Sequence, residues 1–61
     1  MPFIHVKILE GTTETQKDEL VQEMTAVFQR VVGVSRDRVF IFFEDLKKEN
    51  YGKNGRLYSK Q

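Results

Sequence analysis

Few residues of this chain have both the type and the placement to do chemistry, and the second is the most suggestive. The chain opens Met-Pro and runs directly into the apolar alternation of PFIHVKIL. Initiator methionine is commonly trimmed when the next residue is as small as proline, which would leave Pro2 as a free secondary amine at the start of a strand. A free α-amine has a pKa of about 8. Desolvation in an apolar pocket disfavours its charged form and lowers that value, and an amine near neutrality is a usable general base. A proline at a strand's first residue also has an ordinary structural explanation, since it lacks the donor that a ladder requires. Both readings stand at this point.

The remaining inventory is thinner. His5 is a lone imidazole on the less apolar side of the first strand and reads as a partly exposed structural residue. Lys47 and Lys48 read as a solvated pair. Tyr51, between Asn50 and Gly52, fits equally a tail anchor packed on a neighbour and the wall of a pocket. There is no glycine-rich phosphate loop, no nucleophile motif and no metal-ligand spacing. With no cysteine and one histidine, neither a disulfide framework nor a zinc site is expected.

These residues need elements to hold them. Ile4, Val6 and Ile8 alternate with Phe3, His5, Lys7 and Leu9, the period of a strand with one covered face. Thr13-Glu14-Thr15-Gln16 matches a capping box, with Glu14 placed to favour the first helical turn. Leu20, Val21, Met24, Val27, Phe28, Val31 and Val32 then recur at helical spacing up to Gly33, a residue suited to end a helix. Arg38 to Phe43 (RVFIFF) reads as a second strand. In the polar tail, Asn54-Gly55 is a hairpin turn signal. Strand, long helix, strand is the order of a βαβ unit with two parallel strands. The fold class is therefore α+β, a βαβ unit with a short C-terminal hairpin, in one domain spanning residues 1–61.

Size and charge narrow the setting. A chain of 61 residues buries only about 60% of its unfolded surface and is marginal alone. Its second strand is apolar on both faces, Val39, Ile41 and Phe43 on one and Phe40 and Phe42 on the other. One helix covers one face, so the other marks an interface, and an oligomer with paired sheet edges is expected. Ten Lys and Arg against nine Asp and Glu give a net charge of +1, interspersed along the chain. That pattern argues against nucleic acid and against a polybasic membrane patch as partners. The apolar stretches fall well short of the roughly 20 residues of a membrane span, and no charged segment leads a hydrophobic one. A soluble, cytoplasmic protein without a targeting signal is expected.

In combination, the Met-Pro start, Ile8-Leu9-Glu10-Gly11 closing the first strand, Thr13-x-x-Gln16-Lys17 opening the helix, the βαβ order and the late aromatic-glycine pair Tyr51-Gly52 resemble the 4-oxalocrotonate tautomerase family over essentially the whole chain. The resemblance implies dimers with a four-stranded sheet, usually assembled as a trimer of dimers. It implies a cofactor-independent keto-enol tautomerase in which Pro2 carries a proton between oxygen and carbon of a small enol or keto acid. The family's pocket aromatic falls on Tyr51, a Tyr where Phe is more usual.

Two departures bear on substrate. Where the best-known members carry an arginine directly after the strand-ending glycine, to hold a distant carboxylate, this chain has Thr12. Where they carry an arginine in the second strand, to grip the carboxylate beside the reacting oxygen, it has Phe40. Neither replaces a bidentate guanidinium, so a dicarboxylate such as 2-hydroxymuconate is expected to bind poorly. Arg38, two residues before Phe40, is expected on the same strand face about 7 Å away and is the first substitute. Arg36 and Arg56 are weaker ones. Two other functions compete. Hydration or dehalogenation of an unsaturated acid would need a residue to activate water, for which Glu44 and Asp45 are the nearest acids, though ordinary surface acids explain them better. A non-catalytic assembly or binding module of the same fold would leave Pro2 replaceable.

Overall fold

The computed structural model describes residues 1–61. Strand β1 (Phe3–Leu9) leads through a turn into helix α1 (Glu14–Val32), and β2 (Phe40–Leu46) follows; a hairpin of β3 (Gly52–Lys53) and β4 (Arg56–Leu57) closes the chain. Short 3₁₀ turns span Arg36–Arg38, Lys48–Asn50 and Tyr58–Lys60. β1 and β2 pair in parallel, Phe3 opposite Phe40 and Leu9 opposite Leu46, so the βαβ order and the α+β class hold. No helix is long and apolar enough to cross a membrane.

Local chemistry sets the helix ends. Thr13 Oγ1 accepts from Gln16 N at 3.1 Å while Gln16 Oε1 accepts from Thr13 N at 2.9 Å, the reciprocal box that satisfies two orphan donors. At the other end Gly33, at φ 80°, donates its N–H to Gln29 O at 3.1 Å. The hairpin turn uses positive φ at both central residues, Asn54 at 54° and Gly55 at 80°, which matches the twist of the two strands it joins.

The second strand begins later than its apolar run suggests. Arg36 to Arg38 form a 3₁₀ turn, closed by Arg38 N donating to Ser35 O at 3.0 Å, so Arg38 is not on the strand and shares no strand face with Phe40. The strand also continues through Glu44 and Asp45, whose places in the ladder lie opposite Lys7 and Ile8. Polar side chains do not stop a strand when one of them has a cation to meet.

The helix covers one sheet face only. Asp45 accepts from Lys17 Nζ on α1, at 2.9 Å to Oδ1 and 3.0 Å to Oδ2, and the same ammonium lies 5.8 Å from the centre of the Phe43 ring. Those contacts identify the face of Ile41, Phe43 and Asp45, with Ile4, Val6 and Ile8 beside them, as the helix side. The opposite face stacks Phe3 on Phe40, ring centres 5.1 Å apart, and His5 on Phe42 at 4.9 Å. Phe3 stays 60% exposed and Phe42 48%.

No residue of the single chain is buried. Its accessible surface is 4979 Å², where a compact monomer of 7.2 kDa would expose about 4,100 Å². Its radius of gyration is 14.8 Å, against about 10–11 Å for a compact chain of this length. The excess is a layer without its cover.

Candidate active site

Pro2 sits half-buried at the N-terminal end of β1, its carbonyl accepting from Phe40 N at 3.0 Å. That bond extends the ladder by one rung, so a proline fits here without a lost donor and its nitrogen stays outside the sheet's hydrogen bonding. With Met1 attached, that nitrogen is a tertiary amide with no basic lone pair. Met1 itself is 67% exposed, so nothing in the fold depends on its side chain.

Because the strands are parallel, the N-terminal ends of β1 and β2 coincide. Phe40 and Phe3 therefore lie directly at Pro2, and Arg38 lies two residues before Phe40 at the same end. Arg38 is exposed and its guanidinium makes no ion pair, since the chain's one ion pair joins Lys17 and Asp45. The nearest acid in sequence, Asp37, instead accepts from Ser35 Oγ at 2.7 Å. Arg36 is likewise exposed and unpaired, while Arg56 donates from Nη2 to Lys60 O at 2.7 Å within the tail.

Thr12 and Tyr51 are placed elsewhere. Thr12 precedes the helix cap, beyond the C-terminal end of β1 and roughly 20 Å or more from Pro2 at strand spacing. It lines an open groove with Gln16, Glu19, Leu20 and Glu23, so two glutamates share that groove with it. Tyr51 follows the C-terminal end of β2, its carbonyl accepting from Tyr58 N at 2.7 Å and its ring tilted against Tyr58 at 5.8 Å. One chain thus brings together Pro2, Phe40 and Arg38 but not Thr12 or Tyr51. Glu44 and Asp45 lie in the C-terminal half of β2, also away from Pro2, and Asp45 is engaged by Lys17. His5 is exposed and stacks on Phe42, two residues inward from Phe3. No three of the His, Asp and Glu side chains are grouped as a metal site would need.

The stacking of Phe3 on Phe40 beside Pro2 was not legible, although its signal was available. Once the parallel register is known, the two phenylalanines that open the strands must face each other. Glu19 and Glu23 were likewise hidden, because their nearness to Thr12 depends on how the helix leaves the turn.

A family model described as Tautomerase enzyme matches residues 2–61, from the proline to the last residue. The chain belongs to the tautomerase family. It is 36% identical over 59 residues to the 2-hydroxymuconate tautomerase of Bacillus subtilis (strain 168), covering 97% of this chain and 95% of that protein. The crystal structure of YwhB, a homologue of 4-oxalocrotonate tautomerase, matches with a TM-score of 0.90 at 33% identity, over 98% of each chain. A second 4-oxalocrotonate tautomerase homologue matches with a TM-score of 0.94 at 26% identity, over 100% of this chain and 97% of that one. The family resemblance carried by the strand, turn and helix motifs is confirmed, as is the tautomerase-like fold.

Proposed function

We propose that this chain is a cofactor-independent keto-enol tautomerase for small enol or 2-hydroxy-unsaturated acids, acting as a cytoplasmic homo-oligomer with Pro2 as general base once Met1 is removed. The observation that carries this is the family match beginning at Pro2, on a residue held at the open end of the sheet by its carbonyl alone. A neutral Pro2 nitrogen takes the enol O–H proton as the C=O bond forms. The displaced electron pair moves to carbon, and the pyrrolidinium returns the same proton there. Nothing is oxidised or reduced, so no cofactor is required.

Two features support the oligomer. The chain buries no residue and leaves an aromatic sheet face uncovered. Thr12 and Tyr51 also lie at the other end of the sheet from Pro2, so a pocket that joins them to the base takes them from other copies. Dimers that pair into a four-stranded sheet, assembled as a trimer of dimers, satisfy both needs. In such a site the groove beside Thr12 presents Glu19 and Glu23 where a distant carboxylate would have to sit, and like charges disfavour it. Weak turnover of 2-hydroxymuconate follows.

Intact mass of untagged protein, measured with an ultraviolet ketonisation assay, tests the proposal. Loss of Met1, with turnover that falls at least about a hundredfold in Pro2→Ala, is the expected result. Retained Met1 with no turnover would instead indicate a non-catalytic module of the same fold, and turnover indifferent to Pro2 would remove Pro2 from the mechanism.

A further inference from the structure

The chain carries one histidine, and the fold sets it in the middle of the sheet face that the helix leaves open. His5 lies opposite Phe42 in the parallel register, its ring stacked on the phenyl ring at 4.9 Å and 15°. The Phe3–Phe40 stack adjoins it on one side, and the facing positions Lys7 and Glu44 adjoin it on the other. His5, Lys7, Phe42 and Glu44 line one open groove. The charged groups on the imidazole's face are thus Lys7 from β1 and Glu44 from β2. The helix packs on the opposite face, where Lys17 and Asp45 are paired with each other. Lys7 and Glu44 balance in charge, so this face is neutral while His5 is neutral. It gains one uncompensated positive charge per copy when His5 takes a proton.

Building on the homo-oligomer reading, in which other copies cover this face, we propose that His5 makes the assembly pH-sensitive: the copies hold together while the imidazole is neutral and separate as it is protonated. Histidine is the one side chain whose ordinary titration falls between about pH 5 and 8. In the separate chain His5 is exposed, and water solvates either form. Covering the face removes that water and disfavours the charged form. Separated chains then bind more protons than the assembly does. By linkage, the stability of the assembly is complete above the histidine range and is lost as pH falls through it. Glu44 does not cancel this effect, because Lys7 stands directly opposite it while His5 lies one diagonal step away. Each further copy brings the same balance, so protonation adds like charges to one covered surface.

The test is sedimentation of the protein over a range of concentrations at about pH 7.5, 6.5 and 5.5 and fixed ionic strength. Assembly is read directly, because a basic Pro2 would itself titrate in a rate measurement. In wild type the concentration at half-assembly is expected to rise at least about tenfold from the highest pH to the lowest. In His5→Gln it should change less than about threefold. His5→Phe keeps a ring against Phe42 without the titrating nitrogens and should be equally flat, so a failure of one variant to assemble leaves the other decisive. A pH dependence that both variants retain, or a wild-type assembly indifferent to pH, overturns the inference while the oligomer stands. Loss of assembly by both variants at the highest pH also overturns it, since His5 would then act by contact and not by charge. A wild type that assembles at no pH overturns the oligomer reading and this inference with it.

Discussion

At the scale of single residues, the proposed mechanism divides the work of Pro2 between two atoms. Its carbonyl serves the fold by accepting from Phe40 N, while its nitrogen, outside the ladder, is the proposed base. A form of the protein that keeps Met1, or any residues ahead of it, should therefore fold and assemble as the trimmed form does. Its ketonisation rate should nevertheless fall by about 10²–10⁴-fold, the usual contribution of a general base. Circular dichroism and sedimentation beside the assay check this, and a blocked chain with full activity would remove Pro2 from the mechanism. Thr12 offers a second prediction of the same kind. Placing a guanidinium in its groove by Thr12→Arg offsets the charge of Glu19 and Glu23 and restores a carboxylate donor. The KM for 2-hydroxymuconate should drop several-fold, toward the roughly tenfold worth of a charge-assisted pair. An unchanged KM would show that this groove does not face the substrate.

At the scale of elements, α1 depends on its ends more than on its packing, since none of its residues is buried in the chain. Removing the cap by Thr13→Ala should cost about 1 kcal/mol. Gly33→Ala, at φ 80°, should cost about 1–2 kcal/mol for a left-handed residue with a Cβ. Both are read as shifts in urea midpoint at one fixed protein concentration. By contrast Lys17 and Asp45, with side chains 24% and 53% exposed, should couple by less than about 1 kcal/mol in a double-mutant cycle. The caps, the hairpin turn and the parallel order were legible in the sequence because each is written in neighbouring residues. The start of β2 was not, because the run Arg38 to Phe43 has strand composition throughout while the bond from Arg38 N to Ser35 O closes a turn instead. The inclusion of Glu44 and Asp45 was hidden for a related reason: an acid becomes a strand residue when a lysine 28 positions earlier lies across from it. The candidate site was legible where adjacency decides it, at Pro2 and Phe40. It was not where register or assembly does, at Phe3 and around Thr12.

At the scale of the molecule, the sequence pattern and the geometry meet in one mismatch. A helix with apolar residues over a wide arc leaves Leu20, Val27, Val31 and Val32 39% to 66% exposed, and a sheet with aromatic residues on both faces leaves one face open. Neither surface is compatible with a stable lone chain, because exposed apolar groups on this scale mark an interface. Folding and association should then be one equilibrium, and the thermal midpoint should rise with protein concentration as mass action requires. Phe42→Lys tests the sheet side of that claim. The new ammonium would stand beside His5, Lys7 and Glu44 on the open face, on the residue that now stacks with His5 at 4.9 Å. In an isolated chain it would meet solvent and cost little, since Phe42 is 48% exposed there. In an assembly it would have to be desolvated beside aromatic rings, with the one nearby carboxylate, Glu44, already opposite Lys7, which costs several kcal/mol. The variant should therefore sediment as a smaller species, lose helical ellipticity at concentrations where wild type keeps it, and lose activity in parallel. A variant that stays assembled and active would show that this face is not where the copies meet.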